Sequence, residues 1–373
     1  MVMDIEALQA LNNQILWASF ALSALFGVIV QRTHFCTMGA VSDIVTMGNW
    51  TRMRMWSLAA GVALIGFAGL AATGLIDPTK TLYVSNRFIW LSALVGGLMF
   101  GFGMVLASGC GSKTLVRIGA GNLKSLVVFI VMGLAAFATL KGITAVIRVN
   151  TVDSVAIDFL APATLGQWLA NATGLPPAST GYMLGLALGL GFMVWALAGR
   201  EFFRFDNFLA GLGIGAIITA LWWVSGSFGF VPEHPETLEA VFLATNSGRA
   251  EAMSFVSPVA YSLDWLMFFS DKSKVLTLGI VSVVGVVVGS AFYALTTRTF
   301  RWEGFGGTED TANHLVGAVL MGVGGVAAMG CTIGQGLSGI STLSATSFVA
   351  LAAILLGAFA GLKYQIWRLE RTL

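Results

Sequence analysis

Charged residues are scarce in this chain, and their scarcity decides the class of protein. Lys, Arg, Asp and Glu together make up 10% of the 373 residues, whereas a soluble globular domain has about a quarter. Hydrophobic residues make up 57%, and the mean hydropathy is +0.85. A water-soluble core of this length cannot hide so much apolar surface, so the surface must face lipid. Soluble classes of protein are therefore excluded.

Basic clusters, paired cysteines and cofactor motifs are also missing from the sequence. The formal net charge is +2, without a basic run or an acidic tail, so nucleic acid is not an expected partner. The three cysteines are an odd number and lie far apart, which argues against a disulfide framework. No nucleotide-binding or metal-ligand motif occurs. We therefore expect no cofactor, no metal site and no energy coupling by ATP within this chain.

Long apolar runs and glycine, in contrast, are abundant. Nine runs are long enough to cross a hydrocarbon core of about 30 Å as helices, and five shorter runs rich in small residues are candidates for re-entrant half-helices. The long runs lie near 12–31, 54–75, 88–107, 124–147, 181–199, 206–224, 274–297, 312–329 and 345–366. The short runs lie near 36–48, 109–121, 226–246, 255–270 and 330–343. The pattern predicts an all-α polytopic membrane protein with about nine transmembrane helices plus re-entrant half-helices. We expect the first run to be a true span, because the N-terminus lacks the basic region and cleavage site of a signal peptide.

One segment of the chain is repeated. Residues 96–110 align without gaps onto residues 317–331, with seven of the 15 positions identical, and both copies end in Gly-Cys. In the predicted topology the two copies cross the membrane in opposite directions. The chain is therefore expected to be one transporter domain built from inverted repeat halves, approximately 12–147 and 206–366, joined by a linking helix at 181–199. Inverted repeats with broken helices place a site at the repeat interface near the membrane midplane.

Three cysteine motifs stand at the predicted breaks between long and short runs. They are Gln31-Arg-Thr-His-Phe-Cys36, Ser108-Gly-Cys-Gly-Ser112 and Gly330-Cys-Thr-Ile-Gly-Gln-Gly336. Each cysteine is thus near the start of a half-helix, where unpaired N–H groups and the helix dipole favour an anion. A membrane cysteine taken alone is more often a small hydrophobic side chain, but three at equivalent breaks indicate a site.

These blocks, together with Gly101-Phe-Gly-Met-Val-Leu-Ala-Ser-Gly-Cys110, resemble the YeeE/YedE family of sulfur transport membrane proteins over nearly the whole chain. The resemblance implies uptake of thiosulfate across a bacterial inner membrane through a path lined by Cys36, Cys110 and Cys331. It also implies a TusA-like sulfur-carrier protein as a partner, and some members of the family are linked to selenium. The candidate path residues are Cys36, Cys110, Cys331, Gly109, Gly111, Gly330, Thr332, Gln335, Lys113 and Arg117. Lys113 and Arg117 depart from the plainer stretch expected after Cys110, which leaves the identity of the ligand open.

The physics of thiosulfate suits such a path. The dianion has hard oxygens and one polarisable sulfur, and conduction needs several sites of modest strength. Thiols are weak donors that match a soft sulfur, and backbone N–H groups suit the oxygens. We expect the thiols to stay protonated, because a thiolate would repel the dianion.

Other functions and other residues stay open at this point. A membrane sulfur-relay protein that carries a cysteine persulfide would use a thiol activated by His34 or Lys113. A transporter of another sulfur or selenium species and a formate/nitrite-like anion channel are further alternatives. Asp43 is either a proton-coupling carboxylate or a solvated helix end. The tryptophans Trp222, Trp223, Trp265 and Trp302 are expected to form an aromatic belt.

The orientation prediction follows from the basic residues. Of the 20 Lys and Arg, 13 fall on the side of the membrane that holds the C-terminus and seven fall on the other. Because basic residues accumulate in cytoplasmic segments, a reporter fused after Leu373 should read as cytoplasmic and one at the N-terminus as periplasmic. The reverse reporter pattern would contradict this orientation while leaving the opposite senses of the two repeats intact.

Overall fold

The computed structural model describes residues 4–372 and is helical over most of that length. Four two-residue strands lie in the connections. Strands β1 (Arg87–Phe88) and β2 (Ile157–Asp158) form one antiparallel pair, and β3 (Phe230–Val231) and β4 (Val241–Phe242) form the other. The protein is thus an all-α polytopic membrane protein, as the sequence predicted.

The helices follow the predicted order of long and short runs. In the first part of the chain they are α1 (Ile5–Thr33), α2 (Thr37–Met47), α3 (Thr51–Ala72), α4 (Trp90–Leu106), α5 (Gly111–Gly119), α6 (Leu123–Lys141), α7 (Ile143–Asn150) and α8 (Leu165–Thr173). In the second part they are α9 (Pro177–Leu197), α10 (Phe205–Trp223), α11 (Val256–Met267), α12 (Leu278–Thr296), α13 (Thr308–Ala327) and α14 (Ala345–Thr372). The backbone of 332–341 is also helical, with a π-helical turn at Gly334–Gly339. We call 332–341 the π half-helix.

A helix occupies each of the nine predicted spans. Within residues 4–372, eight helical stretches are long and apolar enough to cross a membrane. The remaining predicted span, 312–329, is α13, a 20-residue helix whose first turns carry Glu309, Asp310 and His314 and are therefore less apolar. The predicted span 124–147 is too long, because α6 ends at Lys141 and the short amphipathic helix α7 follows Gly142.

The short runs give four half-helices, and one prediction is wrong. Helices α2, α5, α11 and the π half-helix lie where short runs were expected. The run 226–246 is not a half-helix: after a π-helical turn at Val224–Phe228 it forms the β3–β4 pair. Pro232 and Pro235 explain the difference, because proline lacks the N–H that a helix interior requires.

Two ends of the bundle are distinguished by the connections that meet there. We call the end that holds segments 73–89, 142–176 and 229–255 the N-face, because α1 begins there. The opposite end, which holds 298–307 and the end of α14, is the C-face. Bridges such as Thr164 with Ser344 join segments of the N-face, and Asn122 with Glu303 joins segments of the C-face.

Glycines of the repeated segment let α4 and α13 cross in opposite directions. A Cβ at Gly103 would lie 2.7 Å from the carbonyl oxygen of Gly317, and one at Gly96 would lie 2.7 Å from that of Gly324. In the sequence alignment Gly96 matches Gly317 and Gly103 matches Gly324. Each copy therefore packs its early glycine on the late glycine of the other copy, which is the pairing that a two-fold axis produces.

The close crossing predicts which glycines tolerate a side chain. Gly103→Val should lower the free energy of unfolding by about 1–3 kcal/mol, because its methyl groups meet backbone that has no space to move. Gly191→Val on α9 is the matched control, since nothing lies within 4 Å of its Cβ position. Thermal unfolding of both variants in detergent measures the difference, and equal midpoints would contradict the packing described.

Candidate functional site

The three cysteines follow helix breaks of the same local design. The residue two positions before each cysteine has left-handed backbone, with φ of 52° at His34, 57° at Ser108 and 56° at Met329. Such a conformation is uncommon outside glycine and is costly. It ends the long helix and turns the chain so that the cysteine begins the next helix.

The breaks before Cys110 and Cys331 are closed by equivalent hydrogen bonds. The N–H of Gly109 donates to the carbonyl of Met104 at 2.8 Å, and the N–H of Gly330 donates to that of Gly325 at 2.8 Å. These bonds span the same number of residues and satisfy carbonyls that the ended helix would otherwise leave free. The repeated Gly-Cys sequence therefore encodes a repeated structure.

Each sulfur lies at the N-terminus of its half-helix. The Sγ atoms of Cys36 and Cys331 accept the backbone N–H of Gly39 and Gly334, both at 3.4 Å. The Sγ of Cys110 is 3.2 Å from the Oγ of Ser112 at the start of α5. Unpaired N–H groups and the positive dipole ends of three half-helices thus surround the thiols.

The structure brings the three motifs together. The thiols of Cys36 and Cys110 lie next to each other, and Cys110 also faces the hydroxyl of Thr332. Within residues 4–372 that hydroxyl completes no hydrogen bond. Cys110 and Cys331 are fully buried and Cys36 is half-buried, and in the described part of the chain all three are free. The thiols and this hydroxyl form one cluster, which we call the thiol cluster.

A fourth half-helix completes the cluster without supplying a cysteine. The backbone N–H of Phe255, just before α11, points at the sulfur of Cys331. A Cβ at Gly111 would lie 3.5 Å from the Cβ of Phe255, so α5 and α11 begin side by side. The sequence predicted this half-helix but not its role, because the residue directly before α11 is Phe255 and not a cysteine.

Polar side chains to which the sequence assigned no role in the site lie on the N-face side of the cluster. A Cβ at Gly334 would be 2.6 Å from the Oγ of Ser254 and 3.1 Å from the hydroxyl of Tyr83. The indole Nε1 of Trp222 donates to the Oγ of Ser341 at 3.0 Å, and Trp222 is fully buried. The expectation that Trp222 belongs to an aromatic belt is therefore wrong, since its side chain braces the π half-helix.

Basic residues lie on the C-face side. The Lys113 ammonium stands near the thiols of Cys36 and Cys110, beside Arg52 and Arg117. Arg117 donates from a guanidinium nitrogen to the carbonyl of Ser108 at 2.8 Å. Asp43 pairs with Arg52 at 3.3 Å, so it is an ion-paired residue at this end of the bundle.

The remaining predicted residues are placed around the breaks. Gly109 faces the Lys113 side chain, whose Cγ would be 3.2 Å from an added Cβ. Gly330 packs on Gln335, and the Gln335 amide donates to the carbonyl of Ala328. The Gln335 side chain therefore stabilises the break before Cys331. Its side-chain oxygen Oε1 is buried and accepts no hydrogen bond within residues 4–372.

Comparison with known proteins fits this arrangement. The family described as sulphur transport matches residues 32–360, which include all three cysteines and all four half-helices. The chain belongs to this family, the YeeE/YedE sulfur transport membrane proteins. The thiosulfate transporter TsuA of Spirochaeta thermophila is 25% identical over 354 residues, covering 92% of this chain and 96% of that protein. TsuA of Escherichia coli is 26% identical over 359 residues, with 90% of each covered. The probable transporter YedE of Escherichia coli is 28% identical over 112 residues, which are 30% of this chain and 26% of that protein.

Substitution of the two basic residues of α5, Lys113 and Arg117, should have different effects. Arg117→Gln should lower stability by about 1.5–3 kcal/mol, because it removes a charged donor from the Ser108 carbonyl at the break. Lys113→Gln should leave the unfolding midpoint unchanged, since no hydrogen bond from its ammonium is formed within residues 4–372.

Lys113→Gln should instead raise the half-saturating concentration of a transported anion and flatten its dependence on ionic strength, because screening acts on the lost attraction. Uptake curves at two salt concentrations, beside thermal unfolding of both variants, measure the two effects. Identical uptake curves for wild type and Lys113→Gln would make Lys113 an ordinary anchor at the membrane surface.

Proposed function

We propose that this protein takes up thiosulfate across a bacterial inner membrane, from a periplasmic N-face to a cytoplasmic C-face, along the thiol cluster. Two thiosulfate transporters that align over at least nine-tenths of the chain support this substrate. Both ends of the path are polar, with Tyr83 and Ser254 on one side and Lys113 on the other.

The observation that carries the proposal is the meeting of three thiols at half-helix N-termini. Thiosulfate is a dianion, and partial positive charge from N–H groups attracts it without the tight binding of a lysine cage. Protonated thiols donate weak hydrogen bonds that suit the soft terminal sulfur. Because Cys331, Thr332, Cys110 and Cys36 lie near one another in this order, the anion exchanges one weak partner for the next, as conduction requires.

The inverted repeat predicts where this path lies in the membrane. We infer halves of about 12–147 and 206–366 related by a two-fold axis between α4 and α13, with α9, near the predicted 181–199, as the link. The reciprocal glycine pairs and the equivalent breaks before Cys110 and Cys331 support the division. In folds of this kind the site lies at the repeat interface near the membrane midplane.

The C-face end suits delivery to a partner. Lys113 and Arg52 form a positive exit that holds an anion briefly before its release. We infer that a TusA-like sulfur-carrier protein receives the sulfur there, and that the anion reaches it without a covalent step on this chain.

A sulfur relay is the second candidate, favoured by the ammonium of Lys113 beside Cys110 and Cys36. A nearby cation stabilises a thiolate, and a thiolate can carry a persulfide. Intact-mass measurement of protein recovered during uptake separates the two functions. Transport by thiols leaves the mass unchanged, whereas a relay adds one sulfur atom to a cysteine.

Substitution of the cysteines tests the path. Cys110→Ala and Cys331→Ala should each abolish or strongly reduce thiosulfate uptake into proteoliposomes, because each removes one step of a continuous series. Cys36→Ala should have a milder effect, since this thiol is half-buried at the C-face end.

Ser282→Ala on α12 is the matched control, because it also removes a buried polar atom that lacks a partner in the described residues. Thermal unfolding checks that every variant is folded. Wild-type uptake by a folded Cys110→Ala/Cys331→Ala double variant would refute the path.

A further inference from the structure

A cavity of about 330 Å³ opens on the N-face side of the thiol cluster. Its wall includes Met329 and Ser254, the residues at the breaks before Cys331 and before α11. The Tyr83 phenol lies near both Cys331 and Glu251, and its hydroxyl is beside Gly334 at the start of the π half-helix. We call this cavity the vestibule, because it lies beside the breaks that precede Cys331 and α11.

One carboxylic acid lines this vestibule. Glu251 is only 9% exposed, and its Oε1 accepts the backbone N–H of Ser247 at 2.8 Å. Its other donors are also neutral and come from the same turn, the Ser247 hydroxyl and the Asn246 N–H. An ionised carboxylate here would repel a dianion at close range in a medium that screens poorly.

Glu251 differs from the other buried acid in having no cation partner. Asp264 is buried but pairs with Lys274 at 2.7 Å. Within residues 4–372, Glu251 forms no ion pair. Its backbone is nonetheless held firmly: both its N–H and its carbonyl bond the hydroxyl of Ser225, in the π-helical turn after α10. Such turns occur often at functional sites, and this one fixes the backbone from which the carboxyl extends into the vestibule.

The charged groups on neighbouring elements are occupied elsewhere. Arg148, after α6, pairs with Asp153 at 3.0 Å. Arg249, on the same loop as Glu251, donates to the carbonyls of Thr81 and Val84. The phenols of Tyr83 and Tyr261 also lie near Glu251 and are neutral near pH 7. Burial raises the pKa of Tyr83 further. Burial likewise raises the pKa of Glu251, because the ionised form loses water without gaining a cation.

We propose that Glu251 is a proton-binding gate of the vestibule, which admits a dianion only while its carboxyl is protonated and closes when the carboxyl ionises. The proton comes from water on the N-face and returns there, so no bond to the anion forms or breaks. The protonated carboxyl also donates a hydrogen bond to an entering oxyanion. The gate rests on the proposed function, which supplies the dianion.

The test is thiosulfate uptake into proteoliposomes at a series of pH values, with equal pH inside and outside so that no proton gradient contributes. Above the pKa of Glu251 the protonated fraction falls about tenfold per pH unit, so wild-type uptake at limiting thiosulfate should fall in the same proportion. Glu251→Gln, a neutral mimic of the protonated acid, should transport at a rate independent of pH. Glu239→Gln, an exposed acid on the same loop, should keep the wild-type profile.

The outcomes separate the gate from the transport function. Retention of the wild-type pH slope in Glu251→Gln overturns the gate, and so does a folded Glu251→Gln that is inactive at every pH. Absence of thiosulfate uptake by wild type at the lowest pH refutes the proposed function instead.

A second readout does not depend on transport. Infrared difference spectra between wild type and Glu251→Gln should contain a protonated-carboxyl band that disappears as the pH rises. A spectrum without that band at any pH in the series would overturn the gate even if the protein transports another anion.

Discussion

The structure depends on one constraint: no backbone N–H or carbonyl group can be left unbonded in lipid. A helix that breaks inside the membrane therefore has to place its free groups against other protein. Four half-helices solve this together, because each N-terminus meets the others at the centre of the bundle. The same arrangement that hides the breaks from lipid directs unpaired N–H groups inward, where an anion can use them.

Glycine makes this arrangement possible, and it does so in two ways. At Gly96 and Gly103 the absence of a side chain lets α4 and α13 cross at backbone contact. At Gly334 it leaves room for the Tyr83 and Ser254 hydroxyls beside the π half-helix. Close packing and a polar opening are therefore supplied by one residue type.

Much of the fold could be predicted from the sequence. Length and hydropathy give the nine long helices, and the Gly-Cys repeat locates the breaks before Cys110 and Cys331. The role of Ser254 could not be predicted, because the fourth break shares no cysteine with the others. Glu251 was missed and Trp222 was wrongly assigned to an aromatic belt, because the burial of both side chains depends on how loops and helices fold back over the cluster. The segment 226–246 was wrongly predicted to be a half-helix. Its apolar residues suggested a membrane segment, although Pro232 and Pro235 disfavour a helix.

The central claim is that thiosulfate passes along the thiols themselves. The most direct measurement is the rate at which a negatively charged thiol reagent labels Cys110 and Cys331 in reconstituted protein, with increasing thiosulfate and with sulfate for comparison. If the anion occupies the cluster, thiosulfate slows labelling over the concentration range in which uptake saturates. Sulfate has no soft sulfur and protects less. Labelling that proceeds at an unchanged rate in saturating thiosulfate, while uptake continues, would contradict the account.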